Sequence, residues 1–297
     1  GSTRRGIAPV YSDKYMKKGI RMGDLLCEET LRRKVESIVE WKNLTVCDGY
    51  KSEAVDAGKM LEWLKTYGEP LLPYICDTTE YLTDAAAAGR KIMFEAQLGA
   101  LRDIDFGIYP YTSSSSTIAA YAPIGAGIPG VRLDNVIGIM KAYSSCVGEG
   151  PFTCELFGEK GNDLREAGGE YGAATGRPRR VGGFDAVASR YGVLVQGASE
   201  IALTKLDVLS YLKEIPVCVG YEIDGEVTDK FPKGDRLMRA KPVYKIFEGF
   251  NSDITKCRRL ADLPKKAREY VDFIERSVDC RIKYISVGAE REAYIVC

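Results

Sequence analysis

The sequence contains no histidine. Acid–base chemistry on this chain would fall to carboxylates, lysine, tyrosine or cysteine, or to a histidine on a segment outside it. There is no C-x-x-C pair, and the nine cysteines are scattered and odd in number. That argues against a zinc ribbon and a disulfide framework, and fits the reduced thiols of a cytoplasmic protein. There is no charge excess, because 42 Lys+Arg balance 42 Asp+Glu. A bulk nucleic-acid or membrane-surface binder would usually be basic, so neither partner is indicated. No signal peptide and no apolar run of roughly 18 residues are present, so no segment reads as spanning a membrane. A G-x-x-x-x-G-K-[ST] phosphate loop is also lacking. The nearest stretch, Gly158-Glu-Lys160-Gly161, follows no convincing strand and is rejected.

What is present suits a sizeable core: 297 residues, 45% of them hydrophobic. Helical spacing of apolar residues predicts helices over 28–41, over 53–67 with Ser52 as N-cap, over 78–89, 133–147, 184–195 and 264–277. Strands are predicted at 91–96, 200–204, 215–223, 241–247, 281–286 and 293–297, with Asp224-Gly225 as a hairpin turn. Strands alternating with helices predict an α/β fold, a mostly parallel sheet flanked by helices. No composition shift marks a linker, so residues 1–297 read as a single α/β domain. The polar run TSSSST (112–117) has apolar neighbours, and reads either as a flexible linker or as a loop lining a substrate.

Three stretches carry chemistry. In IALTKLD (201–207) an apolar strand exits into Thr-Lys-Leu-Asp, and ligands in open α/β sheets sit at the carboxyl ends of strands. The Asp207 carboxylate there can accept from the N1–H and 2-amino groups of guanine, a donor pair adenine lacks. Lys205 can cover the face of the base. The bland alternative is an aspartate that caps the next helix. RIKYISVG (281–288) is a second strand ending in a small-residue turn, whose backbone N–H groups at Ser286, Val287 and Gly288 are candidates for the carbonyl of the base. EYGAATGRPRR (170–180) sets Arg177, Arg179 and Arg180 after small residues, with Thr175 offering a hydroxyl. This suits a carboxylate or phosphate, or else is an exposed basic turn. GSTRRGIAP (1–9) has a similar make-up and suits a phosphate, or else is an unstructured terminus.

Taken together, GSTRRGIAPVYSDK (1–14), MFEAQLGALRDIDFGIYPY (93–111), GIMKAYSSCVGEGPF (138–152), YGAATGRPRR (171–180), LTKLDVL (203–209) and ISVG (285–288) resemble the adenylosuccinate synthetase family from the first residue to the last. The resemblance implies a P-loop-NTPase-like fold and a GTP-dependent ligation. GTP phosphorylates the 6-oxygen of IMP, and L-aspartate displaces that phosphate to give adenylosuccinate, in AMP biosynthesis and purine salvage. It implies Mg2+, a homodimer and a cytoplasmic enzyme. Carried over by motif, Thr3, Lys17, Gln97, Ser113 and Arg177 would bind IMP, with Lys17 reaching the IMP of the partner subunit. Ala173, Ala174, Thr175, Gly176, Arg177, Pro178 and Arg179 would bind aspartate. Arg179, Lys205, Leu206, Asp207, Ser286, Val287 and Gly288 would bind GTP.

The sequence departs from the family pattern in four places. Lys17 stands for an arginine, Leu98 occupies the slot aligned with the glutamine, Ser113 replaces a threonine, and Ala174 replaces a threonine. The phosphate loop, the Asp that acts as base and magnesium ligand, and the catalytic His of the family lie on a segment on the order of a hundred residues that is not seen here. No catalytic residue and no metal ligand is therefore assigned to this chain. The expectation is a chain inactive alone, its sheet lacking the first strand or strands. Two further readings stay open: a non-catalytic guanine-nucleotide-binding or dimerisation fragment, and a viral-type relative acting on dGMP.

Overall fold

A computed structural model describes residues 5–172 and 176–297. Contacts gather the chain into two compact units, a division that no composition shift marks in the sequence. Among the described residues, one comprises residues 5–93 with Pro123–Gly130, the other Phe94–Ala122 with Val131–Cys297.

The smaller unit holds α1 (Ile7–Tyr15), α2 (Glu28–Asn43), α3 (Ala57–Gly68) and α4 (Thr78–Ala87). Leu31, Val35 and Val39 repeat every four residues along one stripe of α2, and they bury against Leu61, Met60 and Leu64 of α3. The start of α3 differs from the sequence reading. Its cap is Asp56, whose Oδ1 accepts from the Lys59 N–H at 2.7 Å, and not Ser52. Asp77 caps α4 in the same way through the Thr79 N–H at 2.9 Å. Residues 91–96 form no strand. An apolar run becomes a strand only where a neighbour completes its ladder, and Met93 is 88% exposed.

The larger unit holds the sheets. After α5 (Tyr121–Ala126), which is divided between the two units at Ala122, come β1 (Ile137–Lys141), β2 (Ser144–Cys146), α6 (Gly158–Gly168), β3 (Arg180–Gly182), β4 (Phe184–Asp185) and α7 (Ala186–Gln196). Then follow β5 (Glu200–Thr204), β6 (Glu214–Ile223), β7 (Glu226–Thr228), α8 (Asp235–Met238), β8 (Lys241–Glu248), α9 (Lys265–Val278), β9 (Ile282–Ser286) and β10 (Tyr294–Val296). The helix expected over 133–147 is instead the pair of strands β1 and β2. The main sheet runs β1-β5-β9-β10; its first three strands are parallel and β10 is antiparallel. In a second sheet β6 pairs in parallel with β4, and antiparallel with β7 and β8. The class is α/β with mixed sheets.

The β6–β7 connection is the foreseen two-residue turn. Asp224 (φ 55°) and Gly225 (φ 88°) both adopt the left-handed conformation such a turn requires. Ile201, Leu203, Ile282 and Ile285 of the main sheet share one core with Tyr270, Val271 and Ile274 of α9. All nine cysteines are unpaired thiols. Among the described residues no helix is long and apolar enough to cross a membrane.

Candidate functional site

Parallel register brings three strand ends to one edge of the main sheet. Lys141, the last residue of β1, pairs with Thr204, the last of β5, and Leu203 pairs with Ile285 of β9. Binding residues are drawn to such an edge because the chain leaves the ladder there and its polar groups become available.

The exit from β5 is a sharp one. Lys205 has φ 59°, a left-handed conformation that is costly for a side chain. The turn buries Leu206 completely, docks its N–H on the Ser286 carbonyl at 3.3 Å, and starts a short 3-10 helix at Asp207. Asp207 does not cap that helix, since the N-cap is Leu206 and no side chain bonds there. Its carboxylate is half-buried and lines a cleft of about 350 Å³ with Ser210, Tyr211, Asn251, Ser252, Asp253 and Thr255. Burial raises its pKa, only partly opposed by its own backbone N–H and by Lys205. Beside it, the Ser210 hydroxyl is buried and has no partner among the described residues.

The 286–288 turn is the neighbour that the sequence suggested. The Ser286 hydroxyl donates to the Gly288 carbonyl at 3.0 Å. Val287 is fully buried and its N–H is committed to Ala293 at 2.9 Å. As with Leu206, its part is to hold the turn rather than to present a side chain. Gly288 lies so close to Ala293 that an added Cβ would stand 3.1 Å from that side chain.

The described residues on either side of the arginine-rich turn pair as the two arms of a hairpin. Tyr171 pairs with Pro178, the Arg179 N–H donates to the Glu170 carbonyl at 2.9 Å, and the Gly172 N–H to the Arg177 carbonyl at 2.8 Å. Gly176 turns with φ 63°. Ala173, Ala174 and Thr175 lie outside the described residues. Strand alternation separates the arginines. Arg179 Nη1 reaches the buried Glu170 carboxylate at 3.1 Å, while Arg180 points away and forks onto Glu155 with Nε at 2.9 and 3.0 Å. Arg180 is thereby a structural residue. Arg177 and Pro178 are exposed.

Glu170 was not singled out in the sequence, and it is the most heavily partnered carboxylate of the site. It takes Lys141 Nζ at 2.7 and 2.9 Å, the Tyr143 hydroxyl, and Arg179. Lys205 Nζ stands 3.8 Å away and donates to the Gly168 carbonyl at 2.5 Å.

The remaining candidates are dispersed. Gln97 is exposed, and Leu98 beside it has φ 68°. Ser113 Oγ pairs with Ser115 Oγ at 2.8 Å, and its N–H donates to the Arg102 carbonyl at 2.8 Å. The buried Asp103 holds this stretch by accepting from the N–H groups of Asp105 and Phe106 at 2.9 Å and of Thr117 at 2.6 Å. Residues 112–117 are therefore an anchored loop and not a flexible linker. In the smaller unit Lys17 is exposed with φ 61°, just past the end of α1. Thr3 lies outside the described residues. Among the described residues no group of three or more His, Cys, Asp or Glu is placed to hold a metal.

Comparison with known proteins identifies this arrangement. The family model for adenylosuccinate synthetase matches residues 1–295. The synthetase of Caldanaerobacter subterraneus subsp. tengcongensis is 45% identical over 297 residues, covering 100% of this chain and 69% of that relative. That of Salinibacter ruber is 44% identical over 296 residues, covering 99% and 67%. A fully ligated adenylosuccinate synthetase from Plasmodium falciparum superposes with a TM-score of 0.94 at 36% identity, over 100% of this chain and 70% of that one. The chain thus spans about two thirds of the length of these relatives. It belongs to the adenylosuccinate synthetase family, the ligases that form a C–N bond by joining L-aspartate to IMP at the expense of GTP.

Proposed function

We propose that this chain provides the base-recognition half of the GTP site and much of the IMP and aspartate sites of that ligase. The observation that carries this is the Asp207 carboxylate. It is half-buried, not used as a helix cap, directed to a cleft, and one strand away from the Ser286–Gly288 turn. Guanine offers N1–H and a 2-amino group side by side, and a desolvated carboxylate gains most from two such donors. Adenine would leave that charge unpaired. Ser286 and Gly288 close the other side of the base, with Val287 holding their turn from behind, and Lys205 covers its face.

On the hairpin, Thr175, Arg177 and Arg179, with the backbone of Ala173, Ala174, Gly176 and Pro178, gather the carboxylates of aspartate. Arg177 bridges towards IMP and Arg179 towards the GTP phosphates. Cationic donors fixed in advance stabilise charge on a transferring phosphoryl group without reorganising at the moment of reaction. Thr3, Lys17, Gln97 and Ser113 contribute to IMP, with Lys17 acting across a homodimer in the cytoplasm. GTP is the co-substrate, and Mg2+ supplies Lewis-acid charge neutralisation when bound. The described residues do not fit the metal, because they form no cluster of carboxylates. We assign its ligands, the phosphate loop and the acid–base pair to the part of the family's length outside these 297 residues; this chain covers 67–69% of the relatives compared.

The test uses a polypeptide of these 297 residues. Equilibrium binding should favour GTP over ATP, and incubation with GTP, IMP, aspartate and Mg2+ should yield no adenylosuccinate. Equal affinity for ATP and GTP would dismiss Asp207 as the base reader, and turnover by this polypeptide alone would dismiss the division of labour.

A further inference from the structure

Glu170 is fully buried, yet three cations and a phenol converge on it. The partners come from separate elements. Lys141 ends β1, Tyr143 lies two residues on, Arg179 is on the opposite arm of the hairpin, and Lys205 leaves β5. Burial pushes the Glu170 carboxyl up, but the Lys141 and Tyr143 hydrogen bonds and the charges of Lys141 and Lys205 hold it below its usual range. Lys205 and Asp207 leave β5 in the same turn, so the group adjoins the cleft that Asp207 lines.

A carboxylate that serves packing alone needs one counter-ion. This one has more cations around it than it can neutralise, and two of them are assigned above to one guanine nucleotide, Arg179 to its phosphates and Lys205 to its base. Arg179 is gripped through Nη1, while its Nε is buried with no partner among the described residues. That donor is satisfied only if something beyond those residues meets it.

We propose that Glu170 is a positioning residue of the nucleotide site, tying the hairpin cation Arg179 and the strand-end cation Lys205 into one preset pair that a single guanine nucleotide meets. Removing the charge of Glu170 then loosens both ends of the site together, although Glu170 touches no ligand. The proposal rests on the assignment of residues 205–207 to guanine.

The test is residue-resolved acetylation of lysines in the 297-residue chain, read by mass spectrometry across pH 7–10, with and without GTP. Only a neutral amine reacts. Lys141 faces Glu170, Arg179 and Lys205, and burial has already lowered its pKa, with Glu170 opposing that shift. In Glu170→Gln, which keeps the shape and loses the charge, Lys141 should label about tenfold faster at fixed pH, the equivalent of one pKa unit; Lys205, no longer held by the carboxylate 3.8 Å away, should label faster as well. Lys283 on Glu200 and Lys42 on Asp13 should not change. Glu170→Asp keeps the charge but withdraws it, so Lys141 and Lys205 should both speed up, by less than in Glu170→Gln; this variant serves if Glu170→Gln does not fold. GTP should protect Lys205 in the parent chain and do so only at about tenfold higher concentration in Glu170→Gln. The proposal is overturned if Lys205 is indifferent to both substitutions, or if Lys283 and Lys42 accelerate equally, which would indicate general loosening. If GTP fails to protect Lys205 in the parent while the Glu170 effect stands, the guanine assignment falls, and with it the nucleotide role of the pair.

Discussion

Asp207 is a charge kept in a poor place for stability. Burial raises its pKa and only its own N–H and Lys205 favour the ionised form. Function explains that cost if the charge is what guanine meets. Asp207→Asn should therefore leave the melting temperature of the ligand-free chain equal or higher. It should weaken GTP by about 10–150-fold, the value of a hydrogen bond to a charged group. The asparagine offers one acceptor and one donor, which suits the N1–H and 2-carbonyl of xanthine. Competition between GTP and XTP should invert in favour of XTP, and an unchanged preference would remove Asp207 from the base site. Asp207 was legible because its motif is local: an apolar strand, a short polar exit, a carboxylate. Glu170 was not, since its partners lie up to 35 positions away along the chain (Lys205) and meet it only in the folded sheet. The one trace of it in sequence is Lys141 and Tyr143 set two apart in GIMKAY, at a strand end that was itself misread.

At the scale of elements, α7 shows a second buried carboxylate with the opposite purpose. Asp185 caps the helix through the Ala188 N–H at 2.9 Å and accepts the Tyr221 hydroxyl at 2.6 Å, joining α7 to β6. Asp185→Ala removes the cap and orphans a buried phenol, and should cost about 2–4 kcal/mol by chemical denaturation. Burial raises the Asp185 pKa against its hydrogen bonds. The folded state then holds a proton that the unfolded chain releases near pH 4. This group's contribution is greatest below that value and declines as pH rises towards the folded pKa. Asp185→Asn should flatten that decline relative to the parent in unfolding curves between pH 4 and 6.

The same scale shows where periodicity misleads. Val136, Ile137, Met140 and Tyr143 are spaced like one face of a helix, but the ladder from β1 to β5 overrides that preference. α9 was legible because its stripe is unopposed: Ala267, Tyr270, Val271, Ile274 and Val278 all bury on one side.

For the molecule as a whole, the main sheet has two unlike edges. β1 pairs only with β5 among the described residues, and its Ile139 is 71% exposed. The open ladder beside apolar side chains is a template for another strand. A polypeptide of these residues should self-associate through it, and Ile139→Lys should shift sedimentation towards the monomer. The far edge is β10, three residues long. A sheet with one receptive side and one blunt side has a single valence. Copies meeting through β1 satisfy each other's ladder by two-fold symmetry and leave only the blunt β10 at the far ends of the joined sheet, so this edge by itself should give closed pairs rather than fibres.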